Sequence, residues 1–306
     1  MFDGLKKLAV WIWLMVTYAS VDMSTSARTD IAMYRYINEA LGCYLGTMKG
    51  KAVLDVGCGQ RYQLTLLFQT FGSSAVGIDI ALVAPSLVFP TKYARLWASD
   101  GPRRALQVLV RDISGYDRAY HRALEHESAM CLSFDQVDIR RMSASQMTFP
   151  DATFDAVVST LVFEHIVDVP GAVRELARVL KEHGLIYIIV HLYTSLSGGH
   201  HPAWVDPMRQ RTPAFVQPWD HLRKDSSPVP VYLNKLRLRD YLGVFGEHFD
   251  ILDLKYEYEH EQFLTPALER ELAQYTRQEL LCRRLHMIGR KRPSPIVGRR
   301  GGAAFL

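Results

Sequence analysis

The sequence predicts an α/β fold built on a doubly wound, mostly parallel sheet. Three observations carry that expectation. The run 51–60 (KAVLDVGCGQ) is a short apolar strand ending in an acid and two glycines, and a second apolar run ends in Asp79 about twenty residues later. Residues 185–190 (LIYIIV) are apolar without a break, as in a strand covered on both faces. Between such strands lie segments of helical period, and alternating strands and helices imply right-handed crossovers and parallel pairing.

The elements follow in chain order. Residues 8–21 are uncharged, include Trp11, Trp13 and Tyr18, and follow Lys6 and Lys7; this is shorter than the roughly 20 residues that span a bilayer. Residues 29–46 read as a helix leading into strand 52–56, and the next strand is expected at 74–80. An insertion at 81–136 is punctuated by Pro85, Pro90, Gly101 and Pro102, with helical spacing over 104–126. Its Arg103, Arg104, Arg111, Arg118 and Arg122 are candidates to face an anionic acceptor. The interleaved Asp112, Asp117, Glu125 and Glu127 favour a solvated helix face instead.

A brief strand is expected at 156–159. A helix is expected at 169–181, where Val173, Leu176, Ala177 and Leu180 recur on one face, with Gly184 placed to end it. The segment 191–223 is rich in Gly and Pro and reads as a loop. Beyond it come a strand at 249–258, a helix opened by Thr265 and Pro266 and running to 285, and a short strand at 286–289. Residues 290–300 are basic and read as a solvated tail.

Composition narrows the function classes. The chain has 306 residues, 48% hydrophobic and 22% charged, enough to bury a full core. A net charge of +4 gives little support to a nucleic-acid partner. Cys43, Cys58, Cys131 and Cys282 are scattered without a C-x-x-C pair, which fits reduced thiols and neither a disulfide frame nor a zinc site.

A strand ending in Gly57 and Gly59, beside a strand ending in Asp79, suits a nucleotide-shaped ligand whose ribose diol meets the carboxylate. A dinucleotide fingerprint needs Gly or Ala where this chain has Tyr62. Asp55 moreover stands where a pyrophosphate would lie, so its charge suits a cationic sulfonium or ammonium better.

Here the chain resembles the class I S-adenosylmethionine-dependent methyltransferases of the small-molecule or glycan type. The stretch 142–190 (MSASQMTFPDATFDAVVSTLVFEHIVDVPGAVRELARVLKEHGLIYIIV) looks like the second half of that domain: a Phe-Pro-Asp-x-x-Phe-Asp turn, a strand ending Ser-Thr-Leu, and an Arg-Glu-Leu-Ala-Arg-Val-Leu-Lys helix. The close resemblance covers about 51–80 and 137–190. It implies a seven-stranded Rossmann-like sheet with the last strand antiparallel. It divides the chain into an N-terminal segment 1–46, a methyltransferase domain 47–290 with the insertion 81–136 and an acceptor loop 191–235, and a basic tail 291–306.

The resemblance also assigns cofactor residues. Gly57 and Gly59 would line the amino-acid part of S-adenosylmethionine, with Asp55 anchoring their loop. Asp79 would accept from the ribose hydroxyls and Ile80 pack on adenine. Ser143 stands where many relatives have an Asp for the adenine amino group, Ala144 follows with a backbone contact, and Thr160 and Leu161 lie beside the reactive end. Arg61 replaces a small residue common in relatives. S-adenosylmethionine is intracellular, so residues 8–21 are expected to form a helix over the sheet edge or pocket, or a peripheral contact with a membrane surface, of a cytoplasmic enzyme, and not a signal peptide.

Methyl transfer to a hydroxyl needs a base. His191, His200, His201 and His221 are the candidates, beside Trp204, Trp219, Asp206 and Asp220. His165, in Phe-Glu-His-Ile, is a further one at the acceptor edge. No metal site is expected, because adjacent His200 and His201 lack i, i+4 spacing, although an ion held by His and Asp stays open. The expected function is methyl transfer to a small-molecule or glycan-intermediate acceptor, at a hydroxyl. A non-catalytic S-adenosylmethionine-binding protein and an NAD-dependent oxidoreductase are the alternatives.

Overall fold

The computed structural model describes residues 22–82, 91–201, 204, 216–224 and 231–293. The expectations for 8–21, for Asp206, and for the tail beyond residue 293 lie outside the described residues, as do the side chains of Arg103 and Arg104.

Helix α1 (Met23–Leu45) starts where the Asp22 carboxylate accepts from the Ser24 N–H, six residues before the expected start. Its buried residues Ala27, Ile31, Tyr34, Ile37 and Leu41 recur every three to four positions, one face of the helix. Seven strands follow: β1 (Ala52–Val56), β2 (Ser74–Asp79), β3 (Asp138–Arg141), β4 (Phe154–Thr160), β5 (Leu180–His191), β6 (Phe249–Tyr258) and β7 (Cys282–Lys291). They form one sheet in the order β3-β2-β1-β4-β5-β7-β6. Strand β1 pairs in parallel with both β2 and β4, and β7 alone runs antiparallel, to β5 and β6. The doubly wound sheet and its antiparallel last strand are therefore as expected.

Alternating side chains feed two cores. On β5, Ile186, Ile188 and Val190 pack with helices α6 (Val169–Val179) and α8 (Leu238–His248). On the opposite face, Leu185, Tyr187 and Ile189 join the core built with α1, α2 (Gln63–Thr70) and α5 (Tyr116–Ser128). With every residue from Leu185 to Val190 at most 1% exposed, each large side chain contributes about 1.5–3 kcal/mol before entropy, which makes β5 the rigid centre of the sheet.

Several expected boundaries are corrected. Gly184 does not end a helix: α6 stops at Val179 and the chain enters β5 at once, because Leu180 already pairs with Phe154. The register then shifts until Ala156 meets Leu185, with His183 at φ 62. A Cβ on Gly184 would lie 2.9 Å from the Lys181 carbonyl oxygen, so close backbone approach explains the glycine. The expected helix to 285 is two short ones, α9 (Pro266–Glu271) and α10 (Arg277–Leu281), and the last strand is longer than 286–289 because Cys282 already pairs with Tyr258. In the insertion, α3 (Thr91–Asp100) precedes α4 (Pro102–Ser114), and Gly115 at φ 65 separates α4 from α5 where one helix was expected.

Candidate functional site

The strand order reverses at β1, whose neighbours β2 and β4 lead away to opposite sides. The crevice beyond the carboxyl ends of β1 and β4 is where open α/β sheets take ligands. Gly57 turns there at φ 77, donating its N–H to the Ile78 carbonyl at 2.7 Å. An added Cβ would meet Val162 Cγ2 at 2.2 Å, so only glycine fits. Asp55, 2% exposed, accepts from the Thr65 N–H at 3.1 Å and the Thr65 hydroxyl at 2.7 Å. It thereby caps the first turn of α2, whose own N-cap residue Tyr62 offers no side-chain bond. The carboxylate thus ties strand, glycine turn and helix together.

Asp79, at the end of β2, accepts from the Gly59 N–H at 3.0 Å and the Ala81 N–H at 2.7 Å. It lies on the same side as Asp55. Burial raises the Asp55 carboxyl to about 6, and the Asp79 charge adds to the rise. A cavity of about 190 Å³ opens between Asp55, Gly57, Gly59, Arg61, Arg111 and Thr160. Arg111, one of the arginines singled out in the insertion, is bound through Nε to both oxygens of Asp117, at 2.7 and 2.8 Å.

The remaining expected cofactor residues ring the same edge. Ile80 directly follows β2 with 68% of its surface exposed. Ser143 closes a turn, its hydroxyl accepting from the Ser145 N–H at 3.3 Å, and Ala144 packs in part on the core. Thr160 ends β4. Leu161 takes φ 58 and donates its N–H to the Ile189 carbonyl at 2.8 Å, a left-handed turn at the end of the central strands.

At the ends of β4 and β5 the structure brings together residues that the sequence left apart. His191 and His200 stack with ring centroids 4.9 Å apart, and His165 meets His200 edge-on at 5.2 Å. Glu164 completes the group. It is 2% exposed, neither oxygen has a partner in hydrogen-bonding geometry, and His165 Nε2 stands 4.0 Å away. Burial pushes the Glu164 carboxyl up to about 8, offset in part by the backbone N–H groups of Glu164 and His191 and by the Arg284 charge. Burial also lowers His191 well below the usual imidazole range and His200 to about 4. Glu164, His191 and His200 offer ligand atoms that all lie within 4.8 Å of one another.

A second carboxylate fixes the His191 ring. The Ser197 hydroxyl is bonded to His191 Nε2 at 2.8 Å and to both Glu259 oxygens at 2.9 Å. A carboxylate only accepts, so the serine proton goes to Glu259. His191 Nε2–H then donates to Ser197, which leaves Nδ1 with its lone pair.

The other two candidate histidines are placed differently. His221, in the short helix α7 (Asp220–Arg223), is buried and donates from Nε2 to the Tyr193 carbonyl at 2.8 Å, a tie within the loop. His201 is half-buried, and burial lowers its imidazole below the usual range against the opposing Asp220 charge. Sequence reasoning missed Glu164 and Glu259. An acid between Phe163 and His165, just after a ligand-edge strand, was a signal for the first; Glu259, 62 residues from Ser197, gave none.

A methyltransferase domain model matches residues 32–243, more than half of the chain. The chain belongs to that family. It is a class I, S-adenosylmethionine-dependent methyltransferase domain, which decides against the NAD alternative. It is 26% identical over 244 residues to the chloroplastic tocopherol O-methyltransferase of Arabidopsis thaliana, covering 78% of this chain and 55% of that protein. It is 37% identical over 156 residues to the uncharacterized methyltransferase YcgJ of Bacillus subtilis, covering 50% of this chain and 47% of that one. The chain thus spans about half the length of these curated relatives. Among solved structures, it is similar to a methyltransferase from Bacillus halodurans (18% identity, 87% of this chain and 100% of that one, TM-score 0.45). A Listeria monocytogenes S-adenosylmethionine-dependent methyltransferase is similar at 14% identity, over 80% of this chain and 93% of that one, with a TM-score of 0.46.

Proposed function

We propose that this chain moves the methyl group of S-adenosylmethionine to a hydroxyl of a small-molecule or glycan-intermediate acceptor. In this reading Asp79 and Ile80 receive the adenosine, the Asp55-anchored glycine turn takes the methionine end, and Ser143 and Ala144 border the adenine. Thr160 and Leu161 stand beside the sulfonium. The acceptor oxygen bonds to the methyl carbon as the carbon–sulfur pair returns to sulfur, and the hydroxyl proton passes to His191. An already activated sulfonium asks little more of the protein than alignment and removal of that proton.

The observation that carries the reading is the Glu259–Ser197–His191 chain, which presents a neutral imidazole with Nδ1 free at the end of β5, beside β4. The Asp79 carboxylate at the end of β2 and the exposed Ile80 after it support the donor placement. A cytoplasmic setting, where the donor is made, fits as well. No helix among the described residues is long and apolar enough to cross a membrane.

The test joins calorimetric titration of S-adenosylhomocysteine with its release on a panel of hydroxyl, thiol and amine compounds. Asp79→Ala should weaken product binding, and equal affinity would remove the donor assignment. On an identified hydroxyl acceptor, His191→Asn should lower turnover by about 10²–10⁴ with product affinity unchanged. Turnover equal to wild type across pH would refute the base. Binding without release on any acceptor would favour a non-catalytic binding protein.

A further inference from the structure

We propose that Glu164, His191 and His200 form a binding site for a divalent first-row transition ion such as Zn²⁺. The ion would sit at the carboxyl end of β4 and β5, where the acceptor is expected.

The first ground is the donor set. Two imidazoles and one carboxylate with ligand atoms within 4.8 Å of one another match a three-ligand transition-metal site that keeps a position open for water or substrate. Tetrahedral binding at about 2.0–2.2 Å needs the donors to close by roughly 1 Å each, within reach of side-chain rotation.

The second ground is independent of that spacing. Both Glu164 oxygens and His200 Nε2 are buried without a partner in hydrogen-bonding geometry; the backbone N–H groups of Glu164 and His191 lie close enough to act on the carboxylate but fall outside that geometry. A buried acceptor left in that state costs free energy that folded proteins rarely leave uncompensated. An ion would compensate all three atoms at once.

The third ground is the support behind His191. Metal-bound histidines commonly donate their other ring N–H to an oxygen that is itself anchored, and this fixes the tautomer and orients the ring. His191 Nε2 does so to Ser197, whose backbone N–H and hydroxyl are both held by Glu259. Nδ1 is then the metal-facing nitrogen.

Two arginines lie nearby, and positive charge there opposes a cation. Each has its own carboxylate: Arg283 Nε lies 3.6 Å from Glu259, and Arg284 Nη1 lies 3.3 Å from Glu257. The local charge is thereby largely balanced. His165, at 4.0 Å from Glu164, could add a fourth donor but is not required.

For what the ion does, the inference rests on the methyl-transfer reading; for whether it binds, it does not. An acceptor hydroxyl in the open position would lose its proton to water at lower pH than a free alcohol. With Nδ1 on the ion and Nε2–H donated to Ser197, His191 would have no lone pair left for a proton, so the ion would take over the task assigned above to that histidine.

The experiment titrates the metal-stripped full chain with Zn²⁺ by calorimetry, without donor or acceptor, and repeats it on Glu164→Gln, His200→Asn and the exposed control His126→Asn. The expected result is one ion per chain, affinity lowered at least tenfold in the first two variants, and no change in the control. No saturable binding at micromolar Zn²⁺ would overturn the proposal, as would binding that the two site variants leave unaltered. If a variant fails to fold, X-ray absorption on the zinc-loaded wild type decides: two imidazoles with oxygen ligands support the site, and sulfur or a single imidazole refutes it. S-adenosylhomocysteine titration of the same samples reads the donor site separately, so loss of one assignment is distinguishable from loss of the other.

Discussion

Replacing Gly57 by alanine tests the glycine turn at its tightest point. Two costs arise at this position. The backbone stands at φ 77, and a side chain in the left-handed region costs roughly 1–2 kcal/mol. The new Cβ would also lie 2.2 Å from Val162 Cγ2, 2.6 Å from Cγ1 and 2.9 Å from Cβ. Val162 is branched at Cβ and cannot swing a flexible end away, so the overlap adds the roughly 1–3 kcal/mol typical of overpacking. Gly59 is the internal control: its φ is 66, but nothing lies within 4 Å of an added Cβ. Gly57→Ala should therefore destabilise by about 2–5 kcal/mol and Gly59→Ala by about 1–2 kcal/mol. Urea unfolding of both variants measures the difference. Combining Gly57→Ala with Val162→Ala removes the two γ-carbons, so a double-mutant cycle should show a favourable coupling of about 1–2 kcal/mol. Equal costs at the two glycines, or no coupling to Val162, would refute the packing argument.

Two further outcomes are expected. Asp55 has a folded-state carboxyl raised to about 6 by burial, from 3.8 when unfolded, so the folded chain holds the proton more tightly between those values. Stability should fall as pH rises from about 4 through 6, by about 3 kcal/mol in all, and level off above. Asp55→Asn should lack this fall, and parallel pH profiles for the two proteins in urea unfolding would contradict it. At the other core, the Tyr120 hydroxyl donates to Asp30 Oδ2 at 2.6 Å and links α5 to α1. Tyr120→Phe should cost about 1–3 kcal/mol by leaving a half-buried carboxylate without its donor. An unchanged thermal midpoint would show that water replaces the hydroxyl.

Much of the sheet was legible because its signals are local. Strand β1 at 52–56 and strand β6 at 249–258 are where the apolar pattern puts them, and neither depends on distant partners. The errors cluster where one apolar run can serve two periods. Residues 277–289 read equally as the end of a helix or the start of a strand; pairing with β5 and β6 draws Cys282 onward into the sheet. The same competition ends α6 at Val179, because Leu180 gains a partner in Phe154.

The candidate site divides along the same line. The glycine turn and its two carboxylates sit within about 25 residues of one another, so spacing and charge made this part of the candidate site legible. For the histidines, composition marked the right loop but not the right members. His191 and His200 come together because the loop after β5 folds back, and the pairing of β4 with β5 brings Glu164 beside them, while His221 turns to the Tyr193 carbonyl.

By itself the sequence determined the order of strands and helices, the parallel character of the sheet and the glycine turn with its two carboxylates after the first strand, since each follows from patterns a few residues long. Only the tertiary structure decided which side chains share a buried pocket. Glu164, His191, Ser197 and Glu259 meet through chain reversals spanning almost a hundred residues, and their charge states come from burial that no local pattern records.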